Sequence, residues 1–251
     1  MKTEYYKEYS HNLDREMEFK IYGHGGKLCF AFPPQNGRFF DMEDRGMIAT
    51  LTPWLDSGKL QVVGVDGIDG ESWTNPSWDK HARIEQHERW FRYVTEELYP
   101  RAMEINGMPQ KALVTGCSMG AIHSGIFFFR RPDLFDGMIA LSGLYSTDYF
   151  FQGYMDETVY YNSPVHFLWN MPLDHPYMEL YRQSHIIACV GQGAWEIETL
   201  DGTRELERVL KEKGIPAWID YWGFDVNHDW DWWQKQLPYF MGKVLESSCQ
   251  S

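Results

Sequence analysis

Leu113-Val114-Thr115-Gly116-Cys117-Ser118-Met119-Gly120-Ala121 is the stretch that decides the fold. With Ala112, its first three residues form a short apolar run of strand type, and Gly116–Gly120 matches G-x-S-x-G. From Met119 to Arg130 the chain reads as a helix. A strand that turns into a helix across one serine holds that serine in a strained conformation and lifts its hydroxyl above a sheet. Small flanking residues let the two backbones approach closely. G-x-S-x-G alone is a weak signal, and a structural serine in a Gly-rich turn gives the same letters. The strand before it and the helix after it give this one its meaning.

Outward from that turn, strands and helices alternate. Met17–Tyr22, Lys27–Phe32 and Leu60–Val65 read as strands, as do Ala112–Thr115, Met138–Leu141, Ile186–Val190 and Ala217–Trp222. Helical spacing covers Met42–Leu55, His81–Leu98 (with Pro100 as its stop), Met119–Arg130, Thr199–Lys213 and Trp230–Leu245. Such alternation predicts an α/β fold with a mostly parallel sheet covered on both faces. Met17–Tyr22 and Lys27–Phe32, with no helix between them, predict an antiparallel edge. No repeat or linker interrupts 1–251, so one domain is expected. A segment of about 144–184, rich in aromatic residues, is expected to form a cap-like insertion over the serine. Packing of the segment itself would account for its rings equally well.

Composition narrows the function. The 251 residues are 43% hydrophobic and 16% aromatic, which excludes a mainly disordered chain. A formal net charge of −13, from 23 basic and 36 acidic side chains, argues against nucleic acid and anionic membranes as partners. It also disfavours a strongly anionic substrate. Ile126–Phe129 and Ile186–Val190 are far short of the roughly 18 to 20 apolar residues of a membrane span. The first 18 residues lack the apolar core of a secretory leader, so the chain reads as cytoplasmic, although a secreted chain already processed would look the same. Cys29, Cys117, Cys189 and Cys249 are widely spaced, without CxxC. They read as free thiols rather than a disulfide or metal framework. A homo-oligomer is compatible with the composition.

A serine hydroxyl is a poor nucleophile unless a base takes its proton and a third group orients that base. In this kind of fold the order is Ser, then Asp or Glu, then His, on loops after later strands. His228, the last histidine, lies in Gly223–His228, the segment immediately after the strand Ala217–Trp222, and is the expected base. Glu196 follows Ile186–Val190 and is the expected acid, with Glu198, Asp201 and Asp225 as alternatives nearby. An acidic residue there would also suit the start of the next helix. The negative oxygen of a tetrahedral intermediate needs two N–H donors. Met119 supplies one, and the loop Pro33–Arg38 the other, with Gln35 expected and Asn36 second. No metal or organic cofactor is required by such chemistry.

Taken together, Pro33–Asp44 (PPQNGRFFDMED), Val114–Ala121 (VTGCSMGA), Val190–Glu196 (VGQGAWE) and Val226–Phe240 (VNHDWDWWQKQLPYF) resemble the Putative esterase family of α/β-hydrolases. Esterase D (S-formylglutathione hydrolase), enterochelin and feruloyl esterases and mycolyltransferases are members. The resemblance implies an α/β-hydrolase fold. It also implies a serine-dependent carboxylic-ester hydrolase working through an acyl-enzyme with Ser118, Glu196 and His228. Glutamate as acid matches the mycolyltransferase branch, whereas esterase D-like members use aspartate. The substrate expected is a small-molecule ester, and the aromatic residues of Tyr145–Tyr181 and Trp218–Trp233 point to an apolar acyl or aryl group on it. Acyl transfer to a sugar or alcohol, and a non-catalytic binding role, are the alternatives.

Overall fold

The computed structural model describes residues 1–247, and Cys249 lies outside the described residues. Eight strands form one sheet: β1 (Thr3–Ser10), β2 (Arg15–Tyr22), β3 (Lys27–Phe32), β4 (Leu60–Val65), β5 (Ala112–Cys117), β6 (Phe135–Leu141), β7 (His185–Val190) and β8 (Trp218–Tyr221). Their spatial order is β1-β2-β4-β3-β5-β6-β7-β8. From β4 to β8 every pairing is parallel, and β1 and β2 form an antiparallel edge. β3 to β7 are almost wholly buried, as strands covered on both faces should be.

The expected antiparallel edge exists, but with different strands. β3 lies between β4 and β5 in the parallel body, and β2 pairs with β4. The outermost strand on this side is β1, half-exposed, with Thr3, Tyr5, Lys7 and Tyr9 facing out and Tyr6 stacked on Phe19 of β2 at 4.9 Å. Two helical expectations also change. Met42–Leu55 is three short turns, Asp41–Asp44, Met47–Thr50 and Thr52–Asp56, broken at Gly46 with φ of 73°. Pro100 does not stop its helix. The helix Lys80–Arg92 widens into a π turn at Tyr93–Leu98 and runs on into Tyr99–Asn106, with Pro100 in the turn directly after the widening.

Two apolar layers cover the sheet. One face packs against Lys80–Arg92, Met119–Arg130 and Ile197–Glu212, the other against the short turns at 41–56 and the helix Trp230–Ser247. Met119–Phe129 is buried throughout, so this helix is central rather than superficial. Residues 144–184 contribute four short helices, Asp148–Phe151, Glu157–Tyr161, Pro164–Asn170 and Tyr177–Arg182. Cys29, Cys117 and Cys189 are free and buried, as expected, and burial pushes the Cys29 thiol up to about 12.

Register brings the carboxyl ends of the parallel strands level. Phe32 pairs with Gly116, Cys117 with Leu141, Leu141 with Cys189 and Val190 with Tyr221. The loops that follow β3, β5, β6, β7 and β8 therefore open on one rim, where open α/β sheets hold their ligands.

Candidate active site

Ser118 stands at φ 55° and ψ −122°, between β5 and the helix Met119–Arg130. A non-glycine residue there is strained, so the surroundings must hold it. The Ser118 N–H donates to Leu141 O at 2.9 Å, and the carbonyl of Ser118 accepts from Ala121 and Ile122. Gly120 is required by the close approach: a Cβ on it would lie 2.2 Å from Phe32 O. Among the described residues six non-glycine residues have positive φ, and four of them, Asn36, Ser118, Ser142 and Trp195, gather at this rim.

The loops after β7 and β8 are bonded to each other. Gly193 N–H donates to Val226 O at 2.9 Å, Ala194 N–H to Asn227 Oδ1 at 2.8 Å, and His228 N–H to Ala194 O at 3.0 Å. Gly191 permits the contact, since a Cβ there would meet Val226 O at 2.2 Å. This zipper delivers His228 and Glu196 to the same place from strands that end side by side. His228 Nε2 lies 2.9 Å from Ser118 Oγ, and His228 Nδ1 lies 3.2 Å from Glu196 Oε2.

Glu196 is 1% exposed. Burial pushes its carboxyl up, but hydrogen bonds from His228, Ser142 and Thr199 outweigh that and hold it below the ordinary range. Ser142 Oγ donates to Glu196 Oε1 at 2.6 Å, and Thr199 Oγ1 bonds Oε2. The other three carboxylates near the loop are exposed, and Asp201 pairs with Arg204 at 3.1 Å. Glu198 lines the cavity beside Ser118 but makes no bond to the imidazole.

Several residues here escaped the sequence reading. Ser142, directly after β6, sits at φ 56° and also accepts from Trp233 Nε1 at 3.1 Å. The Trp233 ring meets His228 edge-on at 4.9 Å. Only the position of Ser142 at a strand's carboxyl end could have flagged it. On the other side, Gln35 and Met119 both line the cavity, while the Asn36 N–H donates to Asp69 Oδ2 at 3.1 Å. The cavity has a volume of about 140 Å³, with Ile122, Leu144, Tyr149, Phe150 and Trp195 in its wall. Leu144, Tyr149 and Phe150 come from the aromatic-rich segment 144–184. Among the described residues no group of three or more potential ligands could hold a metal, and no helix is long and apolar enough to cross a membrane.

Solved structures that share this architecture include several esterases. A ferulic acid esterase superposes with a TM-score of 0.75 at 16% identity, covering 98% of each chain. An S-formylglutathione hydrolase from Staphylococcus aureus does so at 0.71 and 12%, covering 97% of each. MPT51 (FbpC1) of Mycobacterium tuberculosis does so at 0.72 and 16%, covering 98% of each. These likenesses establish the α/β-hydrolase fold. No curated protein sequence matches the chain significantly. The family model described as "Putative esterase" matches residues 42–243, and the chain belongs to that family. It is a carboxylic-ester hydrolase, acting on small-molecule esters.

Proposed function

We propose that the chain hydrolyses esters through an acyl-enzyme on Ser118, with His228 as base and Glu196 as the acid that orients it. The observation that carries this is the unbroken line Ser118 Oγ, His228 Nε2, His228 Nδ1, Glu196 Oε2, with steps of 2.9 Å and 3.2 Å. Ser118 Oγ attacks the ester carbonyl carbon while its proton passes to His228 Nε2. The tetrahedral oxyanion rests on the N–H groups of Met119 and Gln35. Met119 opens a helix, so its N–H has no intrahelical acceptor. Asn36 is the poorer choice, because Asp69 takes its N–H. Collapse breaks the ester C–O bond, and the departing alkoxide takes the proton from His228. A water then repeats the attack and releases the carboxylic acid and Ser118.

The apolar wall of Ile122, Leu144, Tyr149 and Phe150 suits an apolar acyl or aryl group. Trp195, 83% exposed at the cavity mouth, offers a face to an aromatic or sugar leaving group. Residues 144–184 then act as the cap of one catalytic domain. The test is a panel of p-nitrophenyl and aryl esters of increasing acyl length, run beside fluorophosphonate labelling. Hydrolysis with labelling of Ser118 is expected, and a folded protein that does neither would refute the reading.

Ser142→Ala removes a donor to the Glu196 carboxylate while leaving Thr199 and His228 in place. Hydrogen bonds to charged groups are worth about 1.5 to 3 kcal/mol, so kcat should fall roughly tenfold or more while KM changes little. Steady-state kinetics decide it. Unchanged kcat would mean that Ser142 does not support the acid.

A further inference from the structure

Asp69 and His123 are 3% and 1% exposed, respectively, and lie outside the Ser118–His228–Glu196 line. Asp69 opens the single turn Asp69–Glu71 beyond β4, and His123 lies on the helix that begins at Met119. One carboxylate oxygen of Asp69 is 2.8 Å from His123 Nε2, and the other accepts the Asn36 N–H at 3.1 Å. This carboxylate therefore joins two elements that meet at the cavity. Asn36 adjoins Gln35, and His123 is four residues past Met119, one turn along the same face.

Both ends of the link are held. Asn36 has φ of 57°, a left-handed conformation that asparagine accepts more readily than most non-glycine residues. The Thr74 hydroxyl lies 2.8 Å from Asn36 Oδ1 and 2.9 Å from Asp69 O. His87 stacks on the His123 ring at 5.4 Å, and Trp90 and Trp73 meet its edges at 4.8 and 6.1 Å. A carboxylate buried this deeply is costly unless it is bonded, and both of its oxygens are bonded here. What the carboxylate adds is a fixed distance.

We propose that Asp69 and His123 are positioning residues that set the spacing of the two oxyanion donors, the N–H groups of Gln35 and Met119. The inference rests on the oxyanion hole of the preceding section. Donors displaced by a fraction of an ångström no longer meet the transition-state oxygen, although the ground-state ester still binds.

The experiment compares Asp69→Ala, Asp69→Asn, His123→Leu and His123→Gln with the wild type. Rates are normalised to sites titrated with a fluorophosphonate. The second readout is affinity for an arylboronic acid, which forms a tetrahedral anion on the serine. Asp69→Ala and His123→Leu should lower kcat roughly tenfold or more and weaken the boronate by a similar factor, with KM within about twofold. Asp69→Asn accepts the Asn36 N–H and donates to the other tautomer of His123. His123→Gln keeps an N–H near the Nε2 position. Both should recover most of kcat. A structural role alone would lower the melting temperature but leave the kcat and boronate affinity of titrated sites unchanged, and that result overturns the proposal. If Asp69→Ala does not fold, the two His123 variants decide: equal kcat in His123→Leu and His123→Gln overturns it. Turnover that survives Ser118→Ala removes the parent reading. Ser118-dependent turnover indifferent to Asp69 and His123 removes this inference alone.

Discussion

Ser118→Ala should abolish ester hydrolysis and fluorophosphonate labelling while the melting temperature moves by only a few degrees. Alanine keeps the Cβ, the backbone and the Leu141 contact of the turn, so the fold loses one hydroxyl and its bond to His228. Catalysis loses the atom that forms the covalent bond. In serine hydrolases such losses reach roughly 10⁴-fold or more in turnover, with a residue from the oxyanion hole and substrate binding. Turnover above about a tenth of the wild-type value would place the nucleophile elsewhere.

Glu196→Gln carries the second large effect. The glutamine keeps the size of the side chain but can offer an N–H where Nδ1 of His228 needs an acceptor. That favours the tautomer with its proton facing Ser118. The equivalent aspartate change in the serine proteases costs about 10⁴ in turnover. Glu198→Gln, Asp201→Asn and Asp225→Asn should cost at most several-fold, because those side chains are exposed and none meets the imidazole. A larger loss in any of the three would move the acid.

Glu196 also links stability to pH. Its carboxyl is held below the ordinary value of 4.5, so the folded state prefers the charged form. That contribution is complete above about pH 4.5 and is lost as pH falls through the lower native value. The gap in melting temperature between wild type and Glu196→Gln should therefore narrow on acidification below pH 4.5. A gap that stays constant down to the acid limit of folding would contradict the depressed carboxyl.

The central turn and its neighbours were legible because their signals are local. Lys27–Phe32 is an apolar run cut by Pro33-Pro34, and Leu60–Val65 is another cut by Asp66-Gly67; both match the observed strands. The helix Met119–Arg130 matches too, since its apolar residues begin at the elbow glycines. β1 was illegible for the opposite reason. Thr3–Ser10 mixes tyrosines with charged residues on both sides, and its support, Tyr6 against Phe19, exists only once β2 is its neighbour. Strand order hid as well: β4 slips between β2 and β3, and no local pattern says so. At the site, chain order points to Ser118, His228 and Glu196, and the structure brings the three together. Ser142, Trp233 and Asp69 are polar or aromatic residues of ordinary local sequence, and their contacts span 54 to 91 positions. Only the folded rim reveals them.

The most direct test of the central claim is to trap the acyl-enzyme. The protein would be mixed with a p-nitrophenyl ester, quenched in acid during turnover and digested, and the peptides weighed. A burst of p-nitrophenol equal to the enzyme concentration, with the acyl mass on the peptide containing Ser118, is the expected result where deacylation is the slower step. The quenched Glu196→Gln protein should show the same adduct forming far more slowly. An acyl group on another residue would contradict the account, as would turnover with no acylated peptide under a clear burst.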